Sequence, residues 1–449
     1  MVSKNILVFQ RTPPPSILLL SLGLVFSVAT QLRIPGASFG VGEALLILWL
    51  LSTLFLPRNW RNPALIGLLT LTGVGVLLLS AGYFFMPYPA GGSRPPALHD
   101  TLAYAFCAVL AINYTSLANE HESRFPHTVL WAFLTSALLA LILGVMAKKW
   151  SGLDAMYYQT RWQHLSAQPN QFALMALPLP FLSLYWILRQ PKNHNIFVPT
   201  IAHVLALALG LYSRSDALSL AWIGGGLVAA LALFGNFRTT PIQFFPVERL
   251  SHRARITAGL LIMLMVGVSA WQWREVATSI ILNGGSETGA GTRADLSGGA
   301  SAGAPSDECS DVKPQSPSDA DRSQENIRLC LWRNGVAAIQ YAPFTGLGPG
   351  PHSGFQKPFE GREAHNTLID WGTQTGVIGV AVLLAYLLWV LWQVARRGQY
   401  ELTAMILALY CFAMFHLTLR QPLFWIVPLL AWGLALSGSQ GRITAPPST

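Results

Sequence analysis

The stretch "EGREAHNTLIDWG", residues 360–372, crowds Glu360, Arg362, Glu363, His365 and Asp370 into a chain of which only 11% is Asp, Glu, Lys or Arg. His365 is the natural proton carrier of the group. As a neutral imidazole it could take a proton from a hydroxyl as general base; as a cation it could instead neutralise a diphosphate. The residues leave both roles open. Glu363 precedes it by two positions and Asn366 follows it. Thr367 and Asp370 fit the spacing of a Thr N-cap with an acid three residues later. A helix is therefore expected to start there, with its N-terminal dipole favouring an anion.

A set of arginines has the right chemistry to complement this. Arg161 lies in "YYQTRWQHLSAQPNQFAL" (157–174), and Arg214 lies beside Asp216 in "LYSRSDALSLAW" (211–222). Arg328 and Arg333 fall in "NIRLCLWRNGVAAIQY", where Ile327, Leu331, Trp332, Val336 and Ile339 recur at helical spacing. Arg420 precedes Pro422. A guanidinium offers five donors in a fork suited to phosphate and stays charged at low dielectric. Several converging on one cavity would hold a diphosphate, although a lone arginine at a span end more often snorkels to the headgroups. "GLGPG" (346–350) resembles a phosphate loop in letters only, because it follows no strand. No metal-binding spacing and no paired-Asp motif for a nucleotide sugar is present, so no cofactor is expected.

The elements that must position these residues are apolar. The chain has 449 residues, 52% of them hydrophobic, with 15 Trp. A bilayer-spanning helix takes about 20 mostly apolar residues. About twelve such runs are legible: 15–31, 41–56, 64–82, 99–117, 128–147, 171–188, 196–212, 216–234, 256–273, 377–394, 401–418 and 422–437. The fold class is thus an all-α polytopic membrane protein. Lys and Arg are roughly twice as frequent in the segments that fall inside when both termini are cytoplasmic. The first apolar run is expected to be a span rather than a cleaved signal. The net charge of +9 follows much of this bias, and no basic stripe interleaved with aromatics suggests nucleic acid.

Three regions follow. Residues 1–273 form a membrane bundle of nine spans, 274–376 one large outer loop, and 377–449 the last three spans with a cytoplasmic tail. In the loop, 283–325 is Gly, Ser, Asp and Pro with almost no large apolar residue, a composition that predicts disorder; 326–376 is expected to be helical and site-forming. Cys309 and Cys330 share this loop, where a disulfide is permitted, while Cys107 and Cys411 fall within spans.

Four motifs in order resemble the O-antigen ligase and polymerase superfamily: Arg161 through Asn170 with "QPNQFAL", "SRSDALSLAW", "IRLCLWRNGVAAIQYAPFTGLGPG" and "EAHNTLIDWGTQTGVIG". The resemblance covers about 150–400. It departs at His164, where a Gly is common, and at Thr373-Gln374-Thr375, where an acid is common. It implies a GT-C-like bacterial inner-membrane glycosyltransferase, metal-independent, with a periplasmic site. The implied donor is undecaprenyl-diphosphate-linked glycan; the acceptor is another glycan or lipid A-core, with polysaccharide assembly proteins as further partners. By resemblance, His365, Arg214 and Glu363 are catalytic, and Arg161, Arg328, Asn170, Asn366, Arg333 and Arg420 bind substrate. The motifs look closer to exopolysaccharide-type polymerases than to ligases. The alternatives are a transporter or flippase, which would place ionisable groups near the midplane and show repeats, and a non-catalytic assembly scaffold.

Overall fold

The computed structural model describes residues 14–32, 39–88, 94–117, 124–150, 157–158, 161–162, 165–166, 168–189, 196–234, 252–284, 320–354 and 361–440. The helices in chain order are α1 (Pro14–Phe26), α2 (Val41–Ser52), α3 (Pro63–Phe84), α4 (Leu98–Leu117), α5 (Arg124–Trp150), α6 (Pro169–Ala176) and α7 (Leu179–Arg189). They continue with α8 (Phe197–Tyr212), α9 (Asp216–Phe234), α10 (His252–Gly284), α11 (Ala320–Tyr341), α12 (Thr367–Ala395), α13 (Tyr400–Ala413) and α14 (Pro422–Gln440). The exception to helix is a two-residue antiparallel pair, β1 (Tyr157–Tyr158) with β2 (Arg161–Trp162).

Each of the twelve apolar runs carries helix. Six candidate spans are long and apolar enough to cross a bilayer: Pro63–Phe84, Phe125–Leu143, Pro169–Leu188, Asp216–Leu233, Arg255–Gln272 and Thr367–Ala395. Five further apolar helices are shorter. The run expected at 171–188 is interrupted between α6 and α7, where Pro178 and Pro180 cannot donate to a helical ladder. That interruption is tolerable because 83% of the Pro169–Leu188 window is buried in protein rather than facing lipid.

The helices pack around a single large apolar core. In it α9 meets α10 and α13, α1 meets α2 and α5, and α3 meets α12. Close approach of α9 and α13 depends on Gly225, where a Cβ would lie 2.9 Å from the Ala404 carbonyl oxygen and 2.6 Å from the Phe181 ring. Small residues at such contacts let helix backbones pack tightly within a membrane.

Three sequence expectations need correction. α11 begins at Ala320, inside the stretch expected to lack structure, because the Ile327–Ile339 periodicity gives its N-terminal turns a packed helix to extend. Residues 285–319, with Cys309, lie outside the described residues; Cys330 is disulfide-bonded, and Cys107 and Cys411 are free thiols. The N-cap of α12 is Asn366, not Thr367.

The third correction concerns α12 itself, which is two helices. Gly376 has φ 69° and ψ −173°, a conformation open in practice only to glycine. A Cβ on Gly372 would sit 3.1 Å from Val380, and one on Gly379 would meet the Thr375 side chain. Leu368 and Leu384 also line one groove, yet in a straight helix they would stand about 24 Å apart. The first half, Thr367–Thr375, therefore folds back against the second. The loop before it supplies the missing hydrogen bonds: Val377 N–H donates to the Pro343 carbonyl (2.7 Å), Leu347 N–H to Thr373 (2.8 Å) and Gly348 N–H to Gln374 (3.1 Å).

Candidate functional site

The half-helix begins in a turn held from all sides. The Asp370 carboxylate accepts from the Ala364 N–H at 2.7 Å and the Asn366 N–H at 3.2 Å. Asn366 Oδ1 accepts from Leu368 N–H and Ile369 N–H at 3.0 and 3.1 Å, and Asn366 Nδ2 donates to the Met414 carbonyl at 2.9 Å. Thr367 Oγ1 donates to the His416 carbonyl at 2.6 Å and accepts from Thr418 N–H at 3.0 Å. Trp332 of α11 donates from its indole to the Ala364 carbonyl at 2.9 Å. Three segments thus converge on residues 364–367: α11, the first turn of the half-helix, and the α13–α14 connection.

This wiring alters one sequence expectation. Asn366 and Asp370 already occupy the N–H groups of residues 364, 366, 368 and 369, so the helix start offers an anion its dipole more than free donors. Donors for an anion have to come from side chains instead.

His365 sits at the centre of the turn with φ 54° and an exposed side chain. Arg214 occupies the α8–α9 turn with φ 47°, exposed between the buried Ser213 and Ser215. Among the described residues, these two are the non-glycine residues with positive φ. Left-handed backbone at a non-glycine residue is uncommon and costs roughly 1–3 kcal/mol, which persists where the surroundings hold it in place, often at functional sites.

The electrostatics around His365 are cationic. Crowding by the surrounding protein lowers its pKa; Glu363 opposes that, while Arg328, Arg420 and Arg362 reinforce it. The imidazole is therefore held toward its neutral form. His416, in the α13–α14 connection, is pushed down to about 3 by burial, then by Arg328 and His365. Arg420 Nη1 donates to Asp100 Oδ1 at 2.5 Å and Nη2 to Glu363 Oε1. Burial disfavours the Arg420 cation, but Glu363 and Asp100 outweigh it and raise its pKa.

The residues singled out in the sequence fall into two groups. His365, Glu363, Asn366, Arg420 and Arg328 share the first, at the start of the half-helix. Arg333 is on the same helix as Arg328 but exposed. Arg161, Asn170 and Arg214 are carried by other elements: β2, which packs against α8, the first turn of α6, and the turn that ends α8. Gln31 holds the stretch between β2 and α6, donating from its N–H to the Leu165 carbonyl (3.0 Å) and from its amide to the Ser166 carbonyl (2.9 Å). His164 lies outside the described residues. Among the described residues no His, Cys, Asp and Glu side chains gather as a metal site would need.

Sequence reasoning passed over Asp100, His416 and Arg94 as site residues and read Trp332 only as part of a helical pattern. A lone acid at the head of the apolar run "LHDTLAYAF" was the available signal for Asp100. Arg94 is a structural clamp. It donates to the Leu347 (2.9 Å), Gly82 (3.2 Å) and Met86 carbonyls and lies 5.1 Å from the Tyr83 ring centroid. It thereby ties the loop after α11 to the top of α3.

A family model described as O-antigen ligase matches residues 171–384. The matched segment carries Arg214, Arg328, Glu363 and His365, the break in α12 and the α8–α9 turn. No curated protein matches the chain. The apolar helices are those of a multi-pass membrane protein, and the matched segment is similar to O-antigen ligases.

Proposed function

We propose that this chain, a member of the O-antigen ligase and polymerase superfamily, transfers a glycan from an undecaprenyl-diphosphate carrier to an acceptor sugar at the periplasmic face of a bacterial inner membrane. All twelve apolar helical runs cross the bilayer in this reading, in a GT-C-like arrangement with both termini cytoplasmic. The observation that carries it is the shared strain of Arg214 and His365, two residues far apart in sequence held in left-handed backbone.

In the reaction, an acceptor hydroxyl oxygen attacks the anomeric carbon of the donor sugar. The bond from that carbon to the diphosphate oxygen breaks, and the lipid diphosphate leaves with the electron pair. His365, kept neutral by its surroundings, takes the hydroxyl proton as general base. Glu363 steadies the imidazolium that results. Arg214 and Arg161 bind the diphosphate and stabilise its developing charge, with Arg328 contributing and Asn170, Asn366 and Arg333 orienting substrate; preorganised cations of this kind supply a large share of catalysis. Arg420 acts on substrate through Glu363, since it is engaged by Asp100 and Glu363.

The apolar groove lined by Leu368, Leu384, Leu387, Leu388 and Phe424 begins at Thr367 beside the site and suits the polyprenyl chain. The acceptor is a second lipid-linked glycan, making the activity a polymerase. Lipid-linked products of a deletion strain test this: the polymerase reading expects single repeat units on the carrier and no long chains. Normal chains left on the carrier beside unmodified lipid A-core would identify a ligase. An Arg214→Ala strain with normal polymer would remove Arg214 from the mechanism.

A further inference from the structure

We propose that Asp100, on α4, is a positioning residue for the transfer reaction, anchoring Arg420 so that Arg420 in turn fixes Glu363 beside His365. The inference rests on the glycan-transfer reading of the site. Asp100 lies in the first turn of α4, more than 250 residues before Glu363 in the chain, and its side chain is only 5% exposed. One carboxylate oxygen receives Arg420 Nη1 at 2.5 Å. The other, Oδ2, is buried with no hydrogen-bond partner among the described residues.

A carboxylate so placed is costly to bury; the half-exposed His99 Nδ1 lies 3.3 Å from the same oxygen, and the permanent charge that offsets the cost is the Arg420 guanidinium. Arg420 is in turn only 18% exposed and spans the gap to Glu363, itself 25% exposed. The three residues come from α4, the turn before α12, and the turn before α14. A fork held at one prong by a buried anion can present its other prong in one direction only. That direction is toward Glu363, two residues from His365.

Charge gives Asp100 a second effect. His365 faces Glu363 and Arg362 from its own turn, Arg328 from α11, and His416 and Arg420 from the α13–α14 connection. Asp100 offsets the Arg420 charge from α4. Without it, more of that charge acts on His365 and disfavours the imidazolium. The sign is then fixed: the acid limb of the rate profile, which reports protonation of the base, moves to lower pH when Asp100 loses its charge.

The test uses purified full-length protein in liposomes with a lipid-diphosphate-linked glycan as donor. Asp100→Asn is expected to lower kcat at least 10-fold with the donor KM within about 3-fold, and to move the acid limb downward. Asp100→Glu, which keeps the charge, is expected to restore kcat in part and to leave the acid limb at its wild-type position. If Asp100→Asn cannot be purified, the same profile is read on Asp100→Glu, whose longer reach displaces Arg420 and should lower kcat with the limb unmoved. Wild-type kcat and an unmoved limb in Asp100→Asn, or wild-type kcat in Asp100→Glu where only that variant is obtained, would overturn the assignment. Absence of any transfer by the wild-type protein would instead overturn the glycan-transfer reading on which it rests.

Discussion

Replacing Asp370 by Ala removes both oxygens that accept the Ala364 and Asn366 N–H groups, at 2.7 and 3.2 Å. Those two donors belong to the buried residues Ala364 and Asn366, which flank the exposed His365 in the turn. Leaving a buried donor unsatisfied costs about 1–3 kcal/mol, so the pair costs roughly 2–6 kcal/mol. At about 1.4 kcal/mol per factor of ten, the lower bound expressed wholly in the population of the competent turn is a drop of about 30-fold in rate. Asp370→Asn keeps one acceptor oxygen and should lose markedly less. The assay is kcat on a lipid-diphosphate donor, with the thermal midpoint measured in parallel. Ala is expected to lower both, and Asn to fall between Ala and wild type. An Asp370→Ala protein with near-wild-type kcat would refute the reasoning. Ala and Asn proteins equally inactive at an unchanged midpoint would assign the carboxylate a chemical role instead.

Gly376→Ala should destabilise the fold-back of α12: its backbone conformation is closed to Ala at about 1–3 kcal/mol, and the Cβ would fall 2.5 Å from the Phe344 backbone. A thermal midpoint equal to wild type would contradict that geometry. Arg94→Gln removes donors to three carbonyls, each charged bond worth about 1.5–3 kcal/mol, and should expose the 343–354 loop to protease before the helices are cut. Unchanged cleavage would show that the loop is held by its contacts with α12 alone.

The helical runs were readable because the bilayer demands long apolar segments, and α3, α5 and α9 lie close to where composition puts them. Two candidate site residues stood out through residue type: His365 and Arg214 are ionisable groups where few occur, and both sit in left-handed backbone. What composition could not convey was direction. The fold-back at Gly376 lies just before the apolar run 377–394, and only its contacts with Pro343, Phe344 and Val380 reveal it. Arg94 and Arg420 are the same residue type, yet one clamps carbonyls and the other bridges carboxylates. Their roles depend on partners 253 and 320 residues away in the chain, which no local pattern encodes. Thr367 matched the spacing of a cap, but its hydroxyl is engaged by the His416 carbonyl and the Thr418 N–H, and Asn366 Oδ1 caps the first turn instead.

The most direct measurement is the pH profile of transfer by purified wild type and His365→Gln protein in liposomes, with a lipid-diphosphate-linked glycan and no ion gradient. The surroundings of His365 lower its pKa, so a general base there places the acid limb of the wild-type profile below the reference value of about 6.5. His365→Gln keeps hydrogen bonding without basicity and should be inactive across the range. Transfer by His365→Gln at the wild-type rate, or a wild-type profile that loses activity as pH rises through 6 to 7 (roughly the free-imidazole range), would contradict the account.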